Sequence, residues 1–338
     1  MGKLPMRDLT IIMPTYNKVR YVADALDSVF AQKTSYSYEL VIADDCSTDG
    51  TLDVVARYEA EHPGVIRVLR SDRNQKLFRN VLRAYADLKT PYFCVLDPDD
   101  FWSSDRIVQE ALAFLSARPD FTIYSSNCRV LEPDGRERPY LPIETEVDST
   151  FGSWMAGRGA LGQTAGLFYR NVVFANGLPE RLRGSLRPDQ ENTFRGDGFR
   201  NFIHLHEGKA HFDPRQSATY RVTPEGLWQG VPEFRREVMN ILLFLNLDEY
   251  FGRRDRELCV FIGRRFLSVE GELPRLLSTA ADVGDAAECL GQFREYQRRF
   301  RLEHDVSRRF AAGLSLRNRA LHALWVRLGR RAARKDWM

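Results

Sequence analysis

The first 125 residues alternate short apolar runs with segments of helical period, and no other feature of the sequence restricts the fold as strongly. Strands that alternate with helices of this length form a mainly parallel sheet with helices on both faces. The sequence therefore predicts an α/β fold. The predicted strands are 9–13, 39–43, 65–69, 92–96 and 121–125, and the predicted helices are 21–32, 52–61, 78–88 and 105–118.

Polar clusters follow three of the predicted strands. They read PTYN at 14–17, DDCSTD at 44–49 and DPDD at 97–100. In parallel sheets, ligands bind in the crevice beyond the carboxyl ends of the strands. We therefore expect the three clusters to border one crevice.

The DPDD cluster places three carboxylates within four positions, although like charges this close repel one another. A hard cation such as Mg²⁺ or Mn²⁺ would balance them, because it prefers oxygen ligands and commonly takes one or two carboxylates plus substrate phosphates. Asp99 and Asp100 are the predicted metal ligands. The alternative is a solvated turn whose aspartates cap the helix predicted from Asp105.

Composition and charge exclude several other classes of protein. The net charge of +3 is too small to indicate a nucleic-acid partner. The five cysteines show no CxxC pair, which argues for free thiols in a reduced compartment and against a zinc site. Neither a signal peptide nor an apolar run of about 18 residues is present, so we expect a cytoplasmic protein.

Three blocks in order carry a resemblance to a known family: TIIMPTYNKVRYVADALDSVFAQ, LVIADDCSTDGT and FRNVLRAYADLKTPYFCVLDPDDFW. Their order and spacing resemble the donor half of a family 2 glycosyltransferase with the glycosyltransferase A fold. RGDGFRNFIHLHEGKAHFDPRQSATYRVTPEGLWQG resembles the acceptor half of bacterial saccharide-assembling members. We therefore predict a catalytic domain at 1–230, with a nucleotide-sugar-binding half at 1–125 and an acceptor half at 126–230, and a helical region at 231–338.

The resemblance implies a donor site at the strand ends. Tyr16 would stack on the nucleotide base while Asp45 accepts its ring N–H, with Asp44 as the alternative for that contact. Asp99 would approach the ribose, and Asp100 would bind the metal. The other residues implied at this site are Pro14, Thr15, Lys76, Arg79, Arg221, Trp228 and, by orienting the loop, Asp97. Lys76 and Arg79 could instead be solvated side chains at the start of a helix.

The resemblance also implies a catalytic base. An inverting transferase needs one group to deprotonate the acceptor hydroxyl, and Asp197 in RGDGF matches the family's position for it. The alternative is that Asp197 is only the N-cap of a helix predicted at 199–206. The family often has a His in a YRxH segment, whereas this chain has Thr223 there, which puts a third protein ligand to the metal in doubt.

Two further segments are weaker indications. GRGALG at 157–162 fits the dinucleotide pattern GxGxxG but follows no apolar strand, so we expect a mobile loop near the acceptor instead. The segment 315–338 carries seven Arg or Lys against one Asp, with Leu321, Leu324, Trp325 and Leu328 on one helical face. Such a basic amphipathic helix suits peripheral contact with the inner face of a membrane, or alternatively packs on the enzyme.

The pattern as a whole predicts an inverting, metal-dependent hexosyltransferase. Its donor would be a nucleotide-diphosphate sugar, most simply a UDP-sugar, and its acceptor a saccharide or lipid-linked saccharide in bacterial surface polysaccharide or glycolipid assembly. A non-catalytic sugar-nucleotide-binding regulator is an alternative, but such a binder needs no base. A sugar nucleotidyltransferase is another, but its Gly-rich loop is missing after the first strand.

Overall fold

The apolar runs form the strands of one mixed sheet. A computed structural model describes residues 7–194, 196–224, 226 and 230–304 of the 338-residue chain. The chain divides into two compact units, Met1–Gln229 and Gly230–Met338. The strands are β1 (Leu9–Thr15), β2 (Tyr38–Asp44), β3 (Ile66–Arg70), β4 (Tyr92–Val95), β5 (Phe101–Trp102), β6 (Phe121–Leu131), β7 (Glu137–Pro139), β8 (Val147–Ser149), β9 (Leu167–Arg170) and β10 (Lys209–Arg221).

The helices of the first unit lie between these strands, as the helical periods predict. They are α1 (Val22–Phe30), α2 (Thr51–Glu61), α3 (Lys76–Ala86), α4 (Ile107–Ala117), α5 (Phe151–Met155), α6 (Glu180–Arg183), α7 (Pro188–Phe194) and α8 (Asp197–Leu205). The second unit contributes α9 (Glu233–Tyr250), α10 (Arg256–Leu277) and α11 (Val283–Glu303). The predicted α/β class and the helical C-terminal region are confirmed.

The sheet runs in the order β3-β2-β1-β4-β9-β6-β10-β5, and only part of it is parallel. Strands β1 to β4 pair in parallel, as predicted. Strand β6, which contains the strand predicted at 121–125, does not pair with β4, because β9 lies between the two and runs antiparallel to both. Strand β10 then pairs in parallel with β6.

Apolar side chains cover the sheet on both faces. On β4, the side chains of Tyr92 and Cys94 join a core with α1 and α4. Phe93, on the opposite face, stacks on Tyr169 with ring centroids 4.9 Å apart and lies edge-on to Tyr85 of α3. Successive residues of a strand point to opposite faces, so a fully apolar strand such as β4 requires helices on both sides.

The second half of the segment GRGALG packs against the sheet, whereas Gly157 and Arg158 are exposed, and the expected mobility of this loop stays a prediction. The stretch from Ala160 to β9 is largely buried, and the Gly162 N–H donates to Ser125 Oγ at 2.7 Å. A Cβ at Gly162 or Gly166 would come within 2.5 or 2.3 Å of the Ser126 carbonyl oxygen. These glycines therefore allow the backbone to approach β6 closely.

The second unit is built from three long helices. Phe266 of α10 contacts Phe293 and Phe300 of α11, with ring centroids 5.6 and 5.5 Å apart. Within the described part of the chain, no helix is both long and apolar enough to cross a bilayer. The predicted basic amphipathic helix at 315–338 lies outside the described residues.

Candidate functional site

The first two polar clusters meet at one edge of the sheet. Because β1 and β2 are parallel neighbours, Thr15 lies beside Asp44 in the register, and both strands end here. The Asn17 N–H donates to Ser47 Oγ at 3.0 Å, and the Thr48 N–H donates to Asn17 Oδ1 at 2.9 Å. The loops after β1 and β2 therefore form one hydrogen-bonded wall.

Two residues of this wall have unusual backbone conformations. Asn17 and Cys46 have φ angles of 51° and 68°, in the left-handed region that favours glycine. Non-glycine residues in this region are strained and concentrate at ligand sites. Their position in the two loops agrees with a binding role for this edge.

Lys18 connects the wall to the third cluster. Its backbone N–H donates to Thr51 Oγ1 at 2.8 Å, and its Nζ lies 2.6 Å from Asp99 Oδ2. The two side chains are 21% and 18% exposed, so this ion pair is only partly solvated. Lys18 was not among the predicted site residues, because no local pattern shows that it reaches a carboxylate 81 positions away.

Asp100 is the most deeply buried carboxylate of the DPDD loop, at 1% exposure. Its Oδ1 accepts from the Arg221 N–H at 2.9 Å and its Oδ2 from Gln163 Nε2 at 3.2 Å. Burial raises its pKa well above the usual value, and the charges of Asp97 and Asp99 raise it further. Both hydrogen-bond donors are uncharged groups, so the negative charge of this loop is not balanced within the loop.

Asp97, like Asp100, has a pKa that burial and neighbouring negative charges raise. Burial, and after it the charge of Asp99, raises the pKa of Asp97 to about 7. The Arg200 guanidinium and Lys18 oppose the shift, whereas Asp197 adds to it. A shift of this kind, from desolvation and like charges, is typical of functional sites.

The alternative that the DPDD aspartates only cap a helix is wrong. Helix α4 begins at Ile107 with Arg106 as its N-cap, and no side chain makes a capping hydrogen bond there.

Asp197 is the first residue of α8, which starts two residues earlier than predicted. The N-cap alternative is wrong, because Gly196 is the N-cap and no side-chain capping bond is present. The Gly198 N–H donates to Asp197 Oδ1 at 2.8 Å, and the side chain is partly exposed. Its effect on the pKa of Asp97 shows that Asp197 lies within electrostatic range of the DPDD loop.

The residues predicted to hold the nucleotide base lie at the ends of β1 and β2 and in the loops that follow them. Tyr16 is 45% exposed, next to buried Thr15 and Pro14. Asp44 accepts hydrogen bonds from N–H groups of its own loop, whereas Asp45 Oδ1 accepts from the Gln75 N–H at 2.7 Å. Asp44 is thus engaged in shaping its loop, and Asp45 links that loop to the start of α3.

Of the predicted cations, Arg79 and Arg221 pair with carboxylates outside the DPDD loop. Arg79 pairs with Glu191, and Lys76 is exposed. The Arg221 guanidinium donates to Asp24 Oδ2 at 2.6 Å, so this residue contacts the DPDD loop through its backbone N–H alone. Predicted Trp228 lies outside the described residues.

Arg200 is a buried cation that the sequence analysis also missed. Its Nε donates to the Tyr169 hydroxyl and its Nη1 to the Tyr85 hydroxyl, each at 3.0 Å. Among the described residues, its Nη2 has no hydrogen-bond partner. It lies one helical turn after Asp197, and its charge acts on Asp97 through space. The sequence gives one indication of a buried Arg200, namely its position among apolar residues of a predicted helix.

The chemistry of the loop fits a divalent cation. Within residues 7–194, 196–224, 226 and 230–304, no three His, Cys, Asp or Glu side chains converge in a way that could hold a metal. Asp99 and Asp100 are the two carboxylates that would hold a divalent cation at this loop, and a substrate diphosphate would supply the remaining ligands. The ammonium of Lys18 already occupies the place of a counter-cation at Asp99.

Comparison with known proteins agrees with this geometry. Residues 10–167 match the family model Glycosyl transferase family 2. An uncharacterized protein of Mycobacterium tuberculosis is 26% identical over 333 residues, which cover 93% of this chain and 92% of that protein. The dTDP-rhamnosyl transferase RfbG of Shigella flexneri is 31% identical over 131 residues, covering 37% of this chain and 44% of RfbG.

A solved structure shares the fold. The crystal structure of S. aureus TarS 1–349 in complex with UDP-GlcNAc superposes with a TM-score of 0.60 and 16% identity, covering 90% of this chain and 83% of TarS 1–349. The predicted family and fold are confirmed. The chain therefore carries, over residues 10–167, a domain that belongs to glycosyl transferase family 2 and has the glycosyltransferase A fold.

Proposed function

We propose that the protein is an inverting, metal-dependent hexosyltransferase that moves a sugar from a UDP-sugar to a saccharide acceptor. One observation carries the proposal. Asp197, at the start of α8, lies within electrostatic range of the carboxylates that follow β4, as its effect on the pKa of Asp97 indicates. A carboxylate able to act as a base thus lies near a loop suited to a charged donor, and a protein that only binds nucleotides would not need such a base.

The proposed chemical step follows from this placement. A carboxylate oxygen of Asp197 takes the proton of an acceptor hydroxyl while that oxygen attacks C1 of the donor sugar. The bond from C1 to the diphosphate oxygen breaks, and its electron pair leaves with the nucleoside diphosphate. Attack from the face opposite the leaving group inverts the configuration at C1. The hydrogen bond from the Gly198 N–H restrains Asp197 in this role.

The donor would lie along the edge formed by the three loops. The exposed ring of Tyr16 would stack on the base, Asp45 would accept its ring N–H, and Asp99 would approach the ribose. When bound to Asp99 and Asp100, Mg²⁺ or Mn²⁺ would neutralise charge on the leaving diphosphate, so no general acid is required. Lys18 would leave Asp99 and could then face the phosphates, because its side chain is long and its ammonium is held by one hydrogen bond to Asp99 and a contact with the Tyr21 ring at 5.8 Å.

The class of donor and acceptor is proposed from the relatives. TarS was solved with UDP-GlcNAc, and RfbG is named as a dTDP-rhamnosyl transferase. UDP-sugars are therefore the first donors to test and dTDP-sugars the second. We place the acceptor in bacterial surface polysaccharide or glycolipid assembly, at the cytoplasmic face of the membrane.

Peripheral membrane contact through residues 315–338 is part of this proposal. Each Lys or Arg near an anionic surface contributes roughly 1 kcal/mol before screening, so several would act together. Co-sedimentation with anionic vesicles should fall when these residues are deleted and when salt is raised. Equal partitioning of the two forms would exclude the tail as the contact.

The proposed transfer is tested by a screen of nucleotide sugars with Mn²⁺ that detects release of nucleoside diphosphate. The wild type should release it from one donor, and Asp197→Asn should lower kcat by about 100-fold or more while binding the donor normally. Wild-type activity in Asp197→Asn would remove the residue from catalysis. Absence of release from every UDP- and dTDP-sugar would contradict the proposed donor class.

A further inference from the structure

Two tyrosines lie side by side next to the carboxylates of the site. The Tyr140 N–H, just after β7, donates to the Cys128 carbonyl at 2.8 Å, and Tyr220 of β10 lies beside Val130 in the register. Cys128 and Val130 are two residues apart on β6, so their neighbours point to the same face of the sheet. The two rings meet edge to face, with centroids 6.4 Å apart and an interplanar angle of 86°.

The Tyr140–Tyr220 pair borders the DPDD loop. In the antiparallel pairing of β5 with β10, Thr219 lies opposite Phe101, so the next position places Tyr220 beside Asp100. The hydrogen bond from the Arg221 N–H to Asp100 Oδ1 shows that β10 continues along the loop. Burial raises the pKa of Tyr220, and the charges of Asp100 and the neighbouring carboxylates add to the shift.

Asp197, the proposed base, lies within electrostatic range of both tyrosines. Burial raises the pKa of the Tyr140 hydroxyl to about 12, and the charge of Asp197 is the next cause of that shift. Asp197 contributes to the raised pKa of Tyr220 as well. Tyr140 nevertheless leaves 36% of its surface exposed, so part of its side chain is accessible to a ligand.

The cations around Tyr140 are already paired. Arg138 lies 3.1 Å from Glu132, and Arg129 lies 3.1 Å from Glu137. Within the described residues, this part of the surface therefore offers an aromatic face with balanced charge and not an anion site. One face of a pyranose ring carries C–H groups with partial positive charge, which complement the negative face of an aromatic ring, while its hydroxyls can reach a phenol oxygen.

We propose that Tyr140 and Tyr220 form an acceptor subsite on which a pyranose ring of the acceptor stacks, which brings its hydroxyl to Asp197. This inference rests on the proposed function and names the class of acceptor. It favours a saccharide ring over an acyclic polyol phosphate, whose phosphates would require unpaired cations.

The test compares Tyr140→Ala with Tyr140→Phe, which keeps the ring and loses the hydroxyl. The probes are p-nitrophenyl glucoside, galactoside and N-acetylglucosaminide, with glycerol phosphate as the acyclic control. Tyr140→Ala should raise the KM for an accepted pyranoside roughly tenfold and change kcat much less, whereas Tyr140→Phe stays within about threefold. UDP affinity, measured by calorimetry, should match the wild type in both variants.

Binding is followed independently by saturation-transfer NMR in the presence of UDP, so that slow turnover cannot hide it. Signals from a pyranoside that weaken in Tyr140→Ala support the subsite. An unchanged KM and unchanged NMR signals in Tyr140→Ala, or binding of glycerol phosphate and of no pyranoside, would overturn it. Failure of the proposed function looks different, because the wild type would then release no nucleoside diphosphate from any donor even where the pyranoside binds.

Discussion

Asp100, after β4, and Asp248, in α9, are both almost fully buried carboxylates, but the charges around them differ. Asp100 accepts hydrogen bonds from uncharged donors and lies among Asp97 and Asp99, which help to raise its pKa. Asp248 faces His304, whose Nε2 lies 2.5 Å from Asp248 Oδ2. Burial alone would lower the pKa of His304, but hydrogen bonds and electrostatic interactions with Asp248 and Cys259 together raise it to about 10.

The difference in surrounding charge indicates that Asp248 contributes to stability, whereas Asp100 contributes to function. A buried charge with a hydrogen-bonded partner of opposite sign belongs to the packing of its unit. A buried group of like charges costs stability and persists where a ligand will supply the missing charge. We therefore expect changes in the two regions to act in opposite ways.

The largest effect should come from breaking the compensated pair. His304→Ala leaves the Asp248 carboxylate, which is 0% exposed, without its cation. Removing one partner of such a pair typically costs 3–5 kcal/mol, so the free energy of unfolding should fall by roughly that amount. Urea denaturation of the full chain measures it. A loss below about 1 kcal/mol would show that the pair is not structural.

The same pair predicts a pH dependence of stability. Because the folded pKa of His304, about 10, exceeds the ordinary value of 6.5, its contribution is fully present below pH 6.5 and is lost as pH rises through about 10. The free energy of unfolding, followed from pH 6 to 10, should fall more in the wild type than in His304→Gln. Parallel pH profiles of the two proteins would contradict the assignment.

The uncompensated loop should respond to metal instead. Asp100→Asn keeps the shape of the side chain and removes one of the two carboxylates available to a cation. UDP affinity in Mn²⁺ should weaken about 10- to 100-fold, while affinity in excess chelator should hardly change. Calorimetric titration of both proteins under both conditions decides this. An equal loss with and without metal would mean that Asp100 only supports the loop.

A smaller effect is expected at Lys18, the one cation that contacts Asp99 in the described structure. Lys18→Met should destabilise the chelated protein by about 1–2 kcal/mol, because a partly buried charged hydrogen bond is lost. Added Mn²⁺ should then raise the melting temperature more in Lys18→Met than in the wild type. A larger rise in melting temperature in the wild type than in Lys18→Met would argue that Lys18 does not occupy the position of the cation.

Sequence patterns predicted the donor side of the site well because that side is local. Strands β1 to β4 are short apolar runs that end in polar clusters, so their positions follow from neighbouring residues. The ends of α1 and α3 lie only one or two residues from their predicted positions, and such shifts are ordinary because helix ends fray and depend on capping.

The acceptor side depends on contacts between distant residues, and its strand pairing was not predicted. Strand β9 has only four residues and pairs antiparallel with strands that precede it by more than 40 positions. Tyr140 and Tyr220 are 80 positions apart, and their meeting depends on the pairing of β6 with both β7 and β10. No periodicity within either segment contains that information.

The most direct test of the contrast is the stability of Asp97→Asn at pH 8 without divalent cations. The folded pKa of Asp97, about 7, lies above the ordinary 3.8, so the folded state loses stability as pH rises from about 4 to 7 and the carboxylate ionises. Asp97→Asn should be more stable than the wild type at pH 8, by about 1–3 kcal/mol, and the difference should vanish near pH 4. If Asp97→Asn is instead less stable at pH 8, the charge of the loop is compensated within the protein and the contrast with Asp248 fails.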